Sequence, residues 1–263
     1  MKITKLGHSC VLVEVKSDTP KITLDTDLVR SNEEAFFSGG NISKDMATTE
    51  KELTSAYDES GQVRGLGGSG KDWVGLFDAG GWADRGLIDA VNHVDRIIYT
   101  HEHGDHFDIE ILKSLATRFP NAHVICNTEI QKLIENAEID IVVRNESQCT
   151  VAFDSPHEQP PIPGAVAPAE TGYHFKDIFT HPGDSQHFSV TKKVLAMPFI
   201  GPWGKTGDSI AKVLELKPEF VLPVHDWHYT PEAKVWLQGL LESAFEGTGI
   251  KLLPNENGKV IEL

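Results

Sequence analysis

The feature that most constrains this chain is a set of metal-binding residue types placed directly after a short apolar segment. Val94–Tyr99 is suited to a buried strand, and it leads into the sequence THEHGDHFD at residues 100–108. Chain that leaves a buried strand is irregular and solvent-facing, and binding groups are common there. Packing is a poor explanation for four potential ligands within six residues, so the pattern predicts a metal site at a strand end.

The spacing within this cluster predicts how its side chains divide between ions. His101 and His103 are two residues apart, so in extended chain their imidazoles leave the same side and can bind one ion. Gly104 permits a sharp turn, after which Asp105 and His106 can face a second ion. Nitrogen and carboxylate ligands suit zinc, manganese or iron. The alternative interpretation is a histidine-rich surface loop that binds no metal.

Three further polar residues each follow a predicted strand, namely His157, Asp184 and His225. Taken singly, each would more often be a surface residue or a buried polar residue with ordinary hydrogen bonds. Together they can supply another ligand for each metal and the bridging carboxylate of a dinuclear site, with one position left for water.

The order of elements predicts a mixed α/β fold in which sheets lie between helical layers. Strands are predicted near residues 11–15, 21–24, 94–99, 123–126, 139–143, 150–153, 172–175, 178–180, 194–197 and 220–224, and helices near 108–119, 129–136, 209–216 and 231–245. Asp108 is predicted to cap the first of these helices. The C-terminal segment is predicted to form a hairpin around Asn257–Gly258.

Residues 29–84 differ from the rest of the chain because they are rich in glycine, serine and charge. The stretch is too long for an ordinary loop, so we predict a single domain over residues 1–263 with an insertion at about 29–84. We expect the insertion to form a flap or a subunit contact near the metal edge. Its GLGGSG sequence does not follow a strand and open a helix, which argues against a phosphate-binding turn.

Composition narrows the choice of partners. The net charge of −15 repels phosphate backbones, so no nucleic-acid partner is expected. The negative net charge is still compatible with a small anionic substrate, because bound divalent metals can make the local potential positive. Three scattered cysteines argue against a disulfide framework and against a cysteine zinc site. With neither a signal-peptide pattern nor a membrane-spanning apolar run, a cytoplasmic protein that does not enter the membrane is expected.

These motifs resemble those of a known superfamily. The order His-x-His-x-Asp-His, then a histidine, then Gly-Asp-Ser, then a late histidine after an apolar strand resembles the metallo-β-lactamase superfamily. The opening LGHSCVLVE with TLDTD after it, and the stretch PFIGPWGKTGDS…KPEFVLPVH, are similar to its ascorbate-phosphate lactonase (UlaG-like) branch of small hydrolases. The resemblance runs from Met1 to about His225, apart from the insertion.

The resemblance implies a four-layer αββα sandwich with two divalent metals at one edge of its sheets. It assigns His101, His103 and His157 to the first metal, Asp105, His106 and His225 to the second, and Asp184 to both as a bridge. Asp25 would support the metal loop from behind the ligands, and His8, which matches a residue common in this branch, would contact the ligands or the substrate. The same role is expected of His181 from its position just before Pro182-Gly183-Asp184. The alternative is a purely structural histidine, within the sheet for His8 and at a strand end for His181. Zinc is the expected metal, with manganese or iron as alternatives, and related branches can work with one ion.

The expected reaction is hydrolysis of a small ester, lactone or phosphoester by a metal-bound hydroxide that Asp105, the expected catalytic residue, orients. A phosphodiesterase or nuclease is the first alternative, although such enzymes favour a basic groove or an added RNA-binding domain. The second is a non-catalytic or redox member of the superfamily, which would usually carry a flavin domain. The expected partner is a small-molecule substrate. The sequence does not decide whether the protein is a monomer or a homo-oligomer.

Overall fold

The computed structural model describes residues 1–16 and 73–263. In this part of the chain, thirteen strands form two sheets and five helices cover them. The strands are β1 (Lys2–Lys5), β2 (Val11–Val15), β3 (Trp73–Phe77), β4 (Arg96–Ile98), β5 (His123–Ile125), β6 (Val142–Arg144), β7 (Thr150–Phe153), β8 (Gly172–Phe175), β9 (Phe179–His181), β10 (Val194–Pro198), β11 (Phe220–Val224), β12 (Lys251–Leu252) and β13 (Val260–Glu262). The helices are α1 (Arg85–Asp89), α2 (Ile109–Arg118), α3 (Thr128–Asn136), α4 (Thr206–Leu216) and α5 (Pro231–Phe245).

The two sheets each combine parallel and antiparallel pairing. The first has the order β13-β1-β2-β3-β4-β5-β6, antiparallel as far as β3 and parallel from β3 to β6. The second has the order β12-β11-β10-β9-β8-β7, parallel from β12 to β9 and antiparallel from β9 to β7. The predicted C-terminal hairpin is wrong, because β12 pairs with β11 in one sheet and β13 pairs with β1 in the other.

Three hydrophobic clusters define the layers. The sheets pack face to face through buried residues such as Phe77, Phe179 and Leu222. The outer face of the first sheet is covered by α1–α3, and that of the second sheet by α4 and α5. Burying a Leu or Phe side chain of this kind contributes about 1.5–3 kcal/mol. The predicted αββα sandwich is confirmed.

Local sequence explains the helices that flank the site. The α2 helix begins after Asp108, whose carboxylate accepts hydrogen bonds from the backbone N–H groups of Glu110 and Ile111, as predicted. Its apolar residues recur at helical spacing and are buried against the first sheet. Among the described residues, no helix combines the length and apolarity needed to cross a membrane.

Part of the predicted insertion belongs to the sheet. Residues 73–77 form β3, which pairs with β2 on one side and β4 on the other. The apolar sequence WVGLF is short and follows a glycine-rich stretch, so its strand character was hidden in the composition of its neighbours. The remainder of the insertion, the predicted strand at 21–24 and Asp25 lie outside the described residues.

The pairing directions bring several chain segments to one edge of the sandwich. Strands β3, β4, β7, β9 and β11 all end at this edge, and β1 ends there because it runs antiparallel to β2. The loops that follow these strands therefore converge, and they contain the histidines and aspartates singled out in the sequence.

Candidate metal centre

Two groups of potential ligands lie at this edge, and within each group the ligand atoms are within 4.8 Å of one another. The first cluster consists of His101, His103, His157 and Asp184, and the second cluster of His8, Asp105, His106 and His225. All seven residues predicted as metal ligands therefore lie together. The two clusters group them as the resemblance implies, with Asp184 in the first cluster. His8, which the sequence placed only near the ligands, is in the second cluster.

The loop after β4 owes its shape to contacts with a glycine pair. The backbone N–H of His106 donates to the carbonyl of His103, which closes the turn between the two clusters. The N–H of Gly81 donates to the carbonyl of Gly104. A Cβ atom at Gly80 would lie 2.1 Å from the carbonyl oxygen of Asp105, so only glycine allows this approach.

Asp184 lies between the two clusters. Its Oδ2 is 3.2 Å from His225 Nε2, 3.6 Å from His157 Nε2 and 3.9 Å from His101 Nε2. Its Oδ1 is 3.1 Å from His106 Nε2. One carboxylate thus faces histidines of both clusters, which is the arrangement that a bridging ligand requires.

Four histidines direct the same ring nitrogen towards the centre, because Nδ1 of each faces an acceptor on the other side. The pairs are His106 with Asp78 Oδ2, His225 with the Ile200 carbonyl, His157 with the Glu158 carbonyl and His101 with Glu170 Oε2. Carbonyl and carboxylate oxygens accept, so Nδ1 carries a proton and Nε2 is the nitrogen that faces the centre, where it can bind a metal once any proton on it has been released. His103 differs in that its Nδ1 faces the centre, 3.1 Å from His101 Nε2.

The inward-facing atoms are the evidence that this centre accommodates a cation. Nε2 of His106, His157 and His225 and Oδ1 of Asp184 are buried without a hydrogen-bond partner among the described residues. His106 Nε2 and Asp184 Oδ1 are close but are not aligned for a hydrogen bond. Each buried polar atom left unpaired costs about 1–3 kcal/mol. A divalent ion of the zinc, manganese or iron type would satisfy this set of nitrogen and oxygen atoms.

His8 has the opposite tautomer. The backbone N–H of Trp227 donates to His8 Nδ1 over 3.1 Å, so the proton of the neutral ring resides on Nε2. Nε2 then donates to Asp105 Oδ2, which is 3.1 Å away. Burial lowers the pKa of His8 to about 4, which keeps the ring neutral. In this state Nε2 has no lone pair for a metal, and His8 instead orients Asp105.

His181 also lies behind the ligands. Its Nδ1 accepts a hydrogen bond from the N–H of Gly183, and its Nε2 donates to the carbonyl of Ser9. The ring is stacked on Phe77 at a centroid distance of 5.6 Å. His181 therefore holds the loop that carries Asp184 against the first sheet.

Asp78 is a functional residue that the sequence analysis missed. Its buried carboxylate accepts hydrogen bonds from His106 Nδ1 and from both the backbone N–H and the hydroxyl of Thr100. It has the role expected of Asp25, which lies outside the described residues. The sequence does contain a signal for Asp78, because this aspartate directly follows the apolar segment WVGLF, just as Asp25 follows an apolar segment. The signal is hidden because WVGLF and Asp78 fall within the range predicted as the insertion.

Glu170 is the corresponding carboxylate behind the first cluster. Its Oε2 lies 2.9 Å from His101 Nδ1 and accepts the backbone N–H of Asp184 at 2.9 Å. Burial and the nearby charge of Asp184 raise the pKa of this carboxyl well above its usual range. No local pattern marks Glu170 in the sequence, because its position depends on how the loop before β8 packs.

Charge at the centre is balanced between carboxylates and imidazoles. Burial raises the pKa of Asp184, but the neighbouring His106 and His225 outweigh it and hold that pKa well below its usual value. Conversely, burial lowers the pKa of His225, and Asp184 and Asp105 overcome this and raise it to about 9. Protons on these histidines thus compensate the carboxylates, and metal binding would release them.

Comparison with known proteins supports the fold. No protein-family model matches the sequence. Protein Rv0786c of Mycobacterium tuberculosis is 22% identical over 194 residues, which cover 69% of this chain and 89% of that protein. Igni18, a metallo hydrolase from Ignicoccus hospitalis, is 14% identical with a TM-score of 0.55, covering 99% of this chain and 97% of that one.

An isothiocyanate hydrolase from Delia radicum gut bacteria has the same architecture. It is 12% identical with a TM-score of 0.55, and the match covers 100% of this chain and 99% of the other. At these identities the likeness establishes the fold alone. The chain has the metallo-β-lactamase fold, and the solved structures that it resembles include a protein described as a metallo hydrolase.

Proposed function

We propose that this protein is a dinuclear metal-dependent hydrolase that cleaves a small ester, lactone or phosphoester. The observation that carries the proposal is the convergence of buried ligand atoms, from four strand-end loops, that have no hydrogen-bond partner among the described residues. Without a cation this cost would be offset only in part, by protons on the histidines, whereas a bound cation would satisfy all of these atoms.

The ligand assignment follows the two clusters. His101, His103 and His157 would hold the first ion, Asp105, His106 and His225 the second, and Asp184 would contact both. Zinc is our first choice because histidine-rich sites with a carboxylate bridge suit it, with manganese or iron as alternatives. When bound, such ions lower the pKa of a water ligand to about 7 and polarise the scissile bond of the substrate.

The remaining chemistry belongs to the chain. Asp105 receives a hydrogen bond from His8, and its side chain is 15% exposed, so it is oriented and can still be reached by water. We assign it the role of accepting a hydrogen bond from the attacking water and directing its oxygen at the carbonyl carbon or phosphorus. Hydrolysis then breaks the bond to the leaving oxygen, which takes up the proton lost by the water.

The substrate class rests on size and charge. A net charge of −15 disfavours long phosphate backbones, so we propose a small molecule rather than a nucleic acid. The opening LGHSCVLVE and the stretch KPEFVLPVH favour the lactonase-like branch of the superfamily. We propose the cytoplasm as the compartment, as expected from the sequence.

The test is turnover of a panel of lactones, carboxylic esters and phosphoesters by the metal-loaded protein. We expect hydrolysis in one of these classes and a loss of kcat of about 100-fold or more in Asp105→Asn, because oriented proton acceptors contribute about that much. Asp89→Asn is the matched control, since the Asp89 side chain is 74% exposed. Absence of turnover across all three classes with both metals bound would refute the proposal.

A further inference from the structure

We infer that the cavity beside the second cluster is a substrate subsite for a planar aromatic group that carries an anionic substituent. The inference rests on the proposed function and adds a substrate class to it. The cavity has a volume of about 260 Å³, and its lining includes His8, Trp82, Asp84, Trp227 and Lys234. This volume is slightly below the usual range of about 300–1,000 Å³ for small-molecule sites and suits one or two fused rings.

Two tryptophans form the aromatic wall of the subsite. Trp82 follows β3 and Trp227 follows β11, and their rings stack with centroids 4.7 Å apart and an angle of 24° between planes. Their side chains are nevertheless 41% and 56% exposed. A large, solvent-exposed aromatic surface beside a polar centre is typical of a ligand-binding site, because stacking a planar ring of the ligand on it is energetically favourable.

The wall adjoins the reacting centre through His8. The edge of the His8 ring meets Trp82, with centroids 5.0 Å apart, and the Trp227 backbone N–H donates to His8 Nδ1. His8 in turn donates to Asp105. A ring held on this wall would therefore be one side chain away from the residue that we assign to orient water.

Lys234 provides the positive charge of the subsite. Lys234 lines the cavity, and its Nζ lies 3.2 Å from Asp226, whose carboxylate is also 2.8 Å from the Nζ of the buried Lys5. Two ammonium groups thus share one carboxylate, and the Lys234 side chain is 25% exposed. Asp84 also lines the cavity, and its carboxylate accepts the N–H of Leu87 at the start of α1. Among the residues that line the cavity, Lys234 carries the ammonium group that can bind an anionic substituent of the ligand.

The test is binding of 2-naphthoate, measured by calorimetry on the metal-loaded protein and again after chelation. We expect binding in both states, because the subsite is made of side chains rather than of the metals. Trp227→Ala and Trp82→Ala should each weaken binding about 3- to 10-fold, the range of aromatic pair energies. Lys234→Met should also weaken it, as should replacing the ligand with neutral 2-naphthamide or saturated cyclohexanecarboxylate.

Trp236→Ala is the matched control, because Trp236 lies on α5 and is 63% exposed without lining the cavity. If binding disappeared on chelation and had the same affinity in both tryptophan variants as in the wild type, the carboxylate would contact only the metals. This result would overturn the proposed subsite. Failure to bind in either state would do the same. If 2-naphthoate binds as expected but no substrate class is hydrolysed, the proposed function fails and the subsite remains.

Discussion

The carboxylate Oδ2 of Asp78 lies 2.8 Å from Nδ1 of His106, and this contact determines which nitrogen of His106 faces the metal centre. Glu170 and His101 repeat the relationship in the first cluster at 2.9 Å. Each cluster therefore has a buried carboxylate behind one of its histidines. Such partners fix the tautomer and raise the basicity of the ligating nitrogen.

Asp78→Asn should weaken metal binding at the second cluster about 10- to 100-fold and leave the first cluster nearly unchanged. Asparagine has a single acceptor oxygen, so it cannot accept from all the donors of Thr100 and His106, and it lacks the negative charge that raises the basicity of His106. Competition titration against a chromophoric chelator measures the two affinities, with Asp89→Asn as the control. Equal weakening of both sites would contradict this division of roles.

His8→Ala should lower kcat and leave the metal content at the wild-type value, because His8 orients Asp105 and does not bind the ion. His8→Gln can place an amide N–H near Asp105, so it should recover part of the lost activity. Metal content and steady-state kinetics of both variants provide the comparison. If His8→Ala lost one metal equivalent, His8 would be a ligand and the tautomer argument would be wrong.

The ligands could be predicted because their signals are local. His101, His103 and Asp105 share one short motif, and His157 and His225 follow apolar strands that the sequence reveals. These residues lie close together because their strands all end at the same edge of the sandwich. A resemblance to a known fold can imply the strand directions, but local sequence patterns do not determine them. The choice of ring nitrogen depends on acceptors such as the Ile200 carbonyl, which no sequence pattern marks.

Two differences between the sequence predictions and the structure have physical explanations. Residues 73–77 form a strand within the range predicted as an insertion, because a five-residue strand between glycine-rich stretches carries little periodic signal. The Asn257–Gly258 signal does correspond to a turn, with Gly258 at a φ of 76°, but the chain there passes from one sheet to the other. A turn signal does not specify which strands pair.

Lys5→Met should destabilise the protein by about 3–5 kcal/mol, because the carboxylate of Asp226 stays buried after losing one of its two lysine partners. The side chains of Lys5 and Asp226 are each 1% exposed. The double variant Lys5→Met/Asp226→Leu should recover much of this loss, since it removes the uncompensated charge. Urea denaturation of the single and double variants measures the difference, and a double variant less stable than Lys5→Met would oppose the explanation.

Stability should fall in acid partly through His174. Burial and the charge of Lys192 lower the pKa of His174 to about 4, below the ordinary value of 6.5. The unfolded chain therefore takes up the proton first, so the contribution is complete above pH 6.5 and is lost as the pH falls towards 4.

With allowance for solvent screening, the expected loss between pH 7 and pH 5 is about 1 kcal/mol. Urea denaturation at both pH values should show a smaller loss in His174→Gln than in the wild type, because the variant lacks the titrating group. The same acid loss in both proteins would show that other groups are responsible.

The most direct test of the dinuclear centre is metal content by elemental mass spectrometry, on protein purified without added metal and again after reconstitution. Wild-type protein should contain close to two equivalents of zinc, manganese or iron, and His103→Ala close to one, because only the first cluster loses a ligand. Failure of the wild type to retain metal even after reconstitution would contradict the account, since the buried nitrogen and oxygen atoms at this edge would then have some other purpose.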